Sequence, residues 1–98
     1  MYSLESYDAN DAPADRKHIM RGEFRSRTAA LDAAKRFIDD QLRRAVTAGL
    51  AGDAAFREWR AVGEIPVIVA VATRAEQVEF DPIAYAAPQA QLIAQGIR

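Results

Sequence analysis

His18 is the single histidine of this 98-residue chain, and its imidazole is the first group to examine for proton transfer or metal binding. A zinc site needs three or four nitrogen, sulfur or carboxylate ligands, and here only carboxylates are available to join the one imidazole. His18 also shares a two-residue period with Met20 and Phe24, so it reads as a packed strand residue with a hydrogen-bonded ring. Asp8, Asn10, Asp11 and Asp15 suggest a cation loop, but an EF-hand needs glycine at its sixth position and glutamate at its twelfth. Counting from Asp8, those positions hold Pro13 and Ile19. Asp39 and Asp40 are neighbours on a helical stretch and so point about 100° apart, which does not make an acid–base pair.

Other chemistries are excluded by residue type. No cysteine is present, which removes disulfides, thiolate metal sites and cysteine nucleophiles together. The glycines at 22, 49, 52, 63 and 96 form neither GxGxxG nor a P-loop, and Ser3, Ser6 and Ser26 have no nucleophile-elbow context. We therefore expect no cofactor, no metal and no enzymatic activity.

Two surfaces are candidates for binding instead. Lys17, Arg21 and Arg25 share one face of a strand pattern, with Arg27 just beyond. Same-face positions repeat every ~6.5–7 Å along a strand, near the spacing of phosphates on one DNA strand. Glu23 interrupts this row and no aromatic is interleaved for base stacking, so a sheet face or protein contact is the stronger reading. The second surface is Phe56, Trp59 and Tyr85 around Val67 and Val69, an aromatic group beside an apolar strand that suits either a core or a docking site.

The elements that would position these groups follow from periodicity. Residues 2–7 alternate as a short strand, and 8–15 reads as an exposed connection. Residues 18–25 resume the two-residue period, with His18, Met20, Gly22 and Phe24 toward the core and Lys17, Ile19, Arg21, Glu23 and Arg25 toward water. Leu31, Ala34, Ile38, Leu42 and Ala45 recur at three and four, which predicts a helix from a Ser26 or Thr28 cap to Gly49. Asp32, Arg36, Asp39, Asp40 and Arg43 fall on its polar side. A short helix from Asp53, as cap, to Val62 follows, then the β-branched run Val67–Ala72, a polar turn at 73–77 and a possible fourth strand at Val78–Phe80. Asp81-Pro82 opens a last helix, which Pro88 should kink or split.

The order β-β-α-α-β-(β)-α predicts one α+β domain over 1–98, an antiparallel sheet of three or four strands with helices on one face. Residues 16–60 carry a net charge of +5 and the rest −6, an asymmetry able to steer a partner or a second copy. The overall charge of −1 argues against a dedicated nucleic-acid binder. No leader pattern opens the chain and no apolar run approaches the ~20 residues that span a bilayer, so a cytoplasmic protein is expected.

Gly22-Glu23-Phe24, the stretch Ala33-Ala34-Lys35-Arg36-Phe37-Ile38-Asp39, Gly52-Asp53-Ala54, Trp59, Gly63-Glu64-x-Pro66-x-Ile68 and Phe80-Asp81-Pro82-x-x-Tyr85-Ala86 recur together along nearly the whole sequence. In this the chain resembles a set of small uncharacterised proteobacterial proteins, a domain of unknown function. It departs from their pattern in Val67–Ala72 and at Pro88. The resemblance implies a shared fold and no known activity, and it transfers no site residue. The function expected is that of a small non-catalytic interaction or accessory module, possibly self-associating, whose dimer would cover the apolar Val67–Ala72 strand. The alternatives are nucleic-acid binding through the basic face, and a small-ligand or enzymatic domain built on His18.

Overall fold

A computed structural model describes residues 1–71 and 78–96. Three strands form one antiparallel sheet, β1 (Tyr2–Asp8), β2 (Ile19–Phe24) and β3 (Glu64–Ala70), in the order β2-β1-β3. Three helices complete it: α1 (Arg27–Thr47), α2 (Gly52–Val62) and α3 (Pro82–Ala94). The α+β class and element order match the expectation, and among the described residues the sheet has three strands. Val78–Phe80 forms no strand; among the described residues the Val78 N–H donates to the Ile68 carbonyl on the outer side of β3. The turn expected over 73–77 lies outside the described residues.

Local chemistry sets the helix ends. The Ser26 hydroxyl accepts from the Ala29 N–H at 3.1 Å and starts α1. At the other end Gly49 takes φ +108°, where its N–H reaches the Val46 carbonyl and that of Leu50 reaches Ala45. This left-handed turn closes the last carbonyls of α1, and glycine adopts it without a Cβ penalty. Asp81 caps α3 through the Ala84 N–H at 3.0 Å, with Pro82 in the first turn. Asp53, in contrast, is not the cap of α2: that position is Ala51, and Asp53 lies inside the first turn and bonds Arg57.

Pro88 does not split α3, which runs continuously through it. Ala84 and Pro88 both lie on the exposed side, where water can take over the carbonyl that Pro88 leaves without a donor. On the other side, Ala86, Gln89, Ala90 and Ile93 are buried and hold the helix in place.

Helix α1 packs against all three strands, α3 packs on α1 and touches β3, and α2 lies against α3 and α1. Packing Leu4 and Ile68, which face each other across β1 and β3, on Ala30 and Ala34 joins the sheet to α1. A second cluster of Ile38, Leu42, Trp59, Ile65, Ala90 and Ile93 joins the helices to the start of β3. The small alanines let the helices approach closely, while Trp59 and the β-branched residues supply the buried area.

The strand β2 departs from simple alternation. Leu4 pairs with Gly22 but Glu5 pairs with Met20, so Arg21 is an extra residue, a bulge. Gly22 and Phe24 remain on the face of Leu4 and Tyr2, whereas Met20 lies with Glu5 on the other face and is 52% exposed. The expected inward row of His18, Met20, Gly22 and Phe24 is therefore broken in the middle.

Candidate functional site

The basic row is the first candidate the bulge rearranges. Arg21 is exposed like Lys17 and Arg25, but its guanidinium is engaged by its own chain. Its Nε donates to Ser6 Oγ at 3.0 Å, its Nη2 pairs with Glu64 Oε1, and its guanidinium lies 5.5 Å from the Phe37 ring centroid. One arginine thus ties β2 to β1, β3 and α1. Lys17, Arg25 and Arg27 stay exposed, and no ion pair engages them among the described residues.

His18 is an exposed residue rather than a core one. Its Nδ1 sits 3.1 Å from Glu5 Oε1, and its ring stacks on Tyr7 with centroids 5.7 Å apart, while Arg16 covers Tyr7 at 4.3 Å. Ser3 Oγ lies 3.2 Å from Glu5 Oε2 and 3.0 Å from Met20 Sδ. Histidine and serine thus meet the same carboxylate on different oxygens. The Glu5 carboxylate therefore stands between the imidazole and the Ser3 hydroxyl. Among the described residues no group of three histidines or carboxylates is placed to hold a metal ion.

The aromatic surface resolves into core. Trp59 is 3% exposed, and Phe56 and Tyr85 pack against the cluster that contains it. The Trp59 Nε1–H donates to the Glu64 carbonyl at 3.2 Å, so even its polar edge is used. Val69 is buried and Val67 half-buried within one copy of the chain, facing Ser3 and Glu5 respectively. The strand does not need a second copy to cover it, which removes the reason for placing a dimer there.

Sequence reasoning missed a buried polar group between α1 and α3. Asp39, expected on the polar side of α1, is 3% exposed. Tyr85 Oη donates to its Oδ1 at 2.8 Å, and Gln89 Nε2 lies 3.5 Å from its Oδ2. Lys35 is one turn earlier on α1, with its ammonium 5.8 Å from the Tyr85 ring centroid. Asp39 and its partners are 46 and 50 positions apart, so no local pattern could have announced the contact.

An open cleft of about 310 Å³ runs between the C-terminal half of α1 and α2. Trp59 contributes to its lining, Ala45, Ala48 and Val62 supply apolar walls, and Arg44 and Glu58 stand on α1 and α2 respectively. Gln41 is locked at one end by two bonds to the Glu64 backbone, both 2.9 Å. No protein-family model, curated protein or solved structure matches this chain.

Proposed function

We propose that this chain is a small, non-catalytic protein-interaction module that takes an extended, acidic segment of a partner against β2. One observation carries the reading: β2 is an outer strand of the sheet, and it exposes Ile19 and Met20 by 51% and 52%. An outer strand offers backbone donors and acceptors to another chain, and side chains on both faces then add specificity. Lys17, Arg25 and Arg27 flank this edge and favour a partner of negative charge. The absence of cysteine suits work in a reducing cytoplasm.

The same cations, with the bulge at Arg21, make β2 a poor surface for pairing with its own copy, since bulges and edge charges oppose edge-to-edge assembly. Nucleic-acid binding through this face would want Lys17, Arg21, Arg25 and Arg27 free together. Arg21 is held by Ser6 and Glu64 instead, and apolar Ile19 and Met20 are exposed on opposite faces of β2 between Lys17 and Arg25.

The test is a photo-crosslinking side chain placed at position 19, with position 57 on α2 as control, in native lysate. A discrete protein adduct from position 19, weakened by Arg25→Glu with Arg27→Glu and absent from position 57, is expected. Adducts to nucleic acid, or equal protein adducts from both positions, would overturn the reading.

A further inference from the structure

The bulge in β2 decides what stands across from Glu5. An unbroken ladder continuing from the Leu4–Gly22 pair would set Arg21 opposite this carboxylate, whereas the bulge sets Met20 there. His18 precedes Met20 by two residues and so falls on the same side of the chain, stacked on Tyr7. Ser3, Glu5 and Tyr7 supply the matching side of β1. Four kinds of donor atom meet in this way. His18 Nδ1 is 3.1 Å from Glu5 Oε1, Ser3 Oγ is 3.2 Å from Glu5 Oε2, and Met20 Sδ is 3.0 Å from Ser3 Oγ. The Ser3 hydroxyl has a single proton for two acceptors, so donation to the carboxylate leaves the Met20 sulfur its lone pairs for another partner.

We infer that Glu5, His18 and Met20 form a binding site for a soft monovalent cation, the cuprous ion. Two ligand atoms each about 2.0–2.2 Å from one ion stand about 3–3.5 Å apart, the separation that His18 Nδ1 and Glu5 Oε1 already have. Histidine and carboxylate supply only two ligands here, and Met20 is the third, brought in by the bulge. Its thioether favours a soft ion over the hard cations that oxygen ligands take, and imidazole suits copper. Charge then selects the monovalent state. One carboxylate balances one positive charge, and the Arg16 guanidinium over the adjoining Tyr7 ring opposes a second. The Glu5 side chain is only 13% exposed and anchors the site, while His18 and Met20 lie at the surface where an ion can enter.

The inference does not rest on the proposed docking at β2. Ile19 pairs with Ser6 and faces the opposite side of the sheet from Met20, so position-19 adducts and copper binding can each fail without the other. The experiment is an anaerobic titration of the purified full chain with Cu(I), kept reduced by ascorbate, against the chromophoric chelator bicinchoninate. The chain should withdraw one equivalent of copper, and NMR should show the His18 ring protons and the Met20 methyl group shifting together. His18→Ala and Met20→Leu should each lower the affinity by roughly tenfold or more. Glu5→Gln should lower it as well, because the balancing charge is lost. Zn(II) at the same concentration should not displace the copper. His18 and Met20 are exposed, and Trp59 emission reports that each variant is folded. Met1, whose side chain is also exposed, serves as the internal control. No uptake from the chelator, an affinity indifferent to His18→Ala or Met20→Leu, a methyl shift at Met1 in place of Met20, or displacement by zinc would overturn the inference.

Discussion

The Tyr85 hydroxyl donates a 2.8 Å hydrogen bond to Asp39 Oδ1, fastening α3 to α1 through a carboxylate that is almost wholly buried. A buried carboxylate is tolerated only when its oxygens are met by donors, so this contact specifies how the two helices lie against each other.

Tyr85→Phe should keep the ring's packing and remove that donor. Leaving a buried acceptor short of a partner costs about 1–3 kcal/mol. Urea denaturation should show a lower midpoint with an unchanged slope, and an unchanged midpoint would show that the bond contributes nothing net.

Gly63→Ala should be more harmful than Gly52→Ala. A Cβ at Gly63 would sit 2.6 Å from both Trp59 Cδ1 and the Trp59 carbonyl oxygen, and neither the buried indole nor the backbone can move cheaply. At Gly52 the closest atom, 2.7 Å away, is the end of the Gln91 side chain, which lies on an exposed residue and can turn aside. Overpacking of the first kind costs roughly 1–3 kcal/mol, and the two melting curves should separate by that order.

Pro88→Ala should stabilise the protein. It restores an N–H to the middle of α3 at an exposed position, where proline costs a helix about 3 kcal/mol relative to alanine. Proline also narrows the unfolded ensemble by up to ~1 kcal/mol, so a net gain of about 2 kcal/mol is expected in chemical denaturation.

Asp53 titrates below the ordinary carboxylate range. Its hydrogen bond from the Arg57 side chain is the main cause, followed by the backbone N–H of Ala54 and the Arg57 charge. A depressed native value means that the unfolded chain takes up the proton first as pH falls. The resulting stability is present above the unfolded-state value near 3.8 and is lost as pH falls through the lower native one. Arg57→Ala should therefore raise the Asp53 titration midpoint toward the ordinary range in side-chain NMR. The pair is fully exposed, so salt should shrink the difference.

Much of the secondary structure was readable because its causes are local. Ser26, Gly49, Asp81 and Pro82 mark helix ends by bonds reaching only a few residues away, and Leu31, Ala34, Ile38 and Leu42 share a face through helical geometry alone. Apart from the cap of α2, at Ala51 rather than Asp53, the errors fell where one residue answers to distant ones. Alternation along 18–25 assumed an unbroken ladder, but pairing with β1 inserted Arg21 as a bulge and turned it toward Ser6 and Glu64. Asp39 reads as a surface residue by its neighbours in sequence, and only the docking of α3 buries it.

The amino-acid sequence by itself determined the class of fold, the ends of α1, the start of α3 and the lack of cysteine chemistry, since composition, capping and periodicity act within a turn or two of chain. Only the tertiary structure decided which charges are engaged, that Phe56, Trp59 and Tyr85 serve the core, and that Arg44 and Glu58 line one cleft. Those outcomes depend on contacts between elements far apart in sequence, where burial and long-range pairing outweigh local preference.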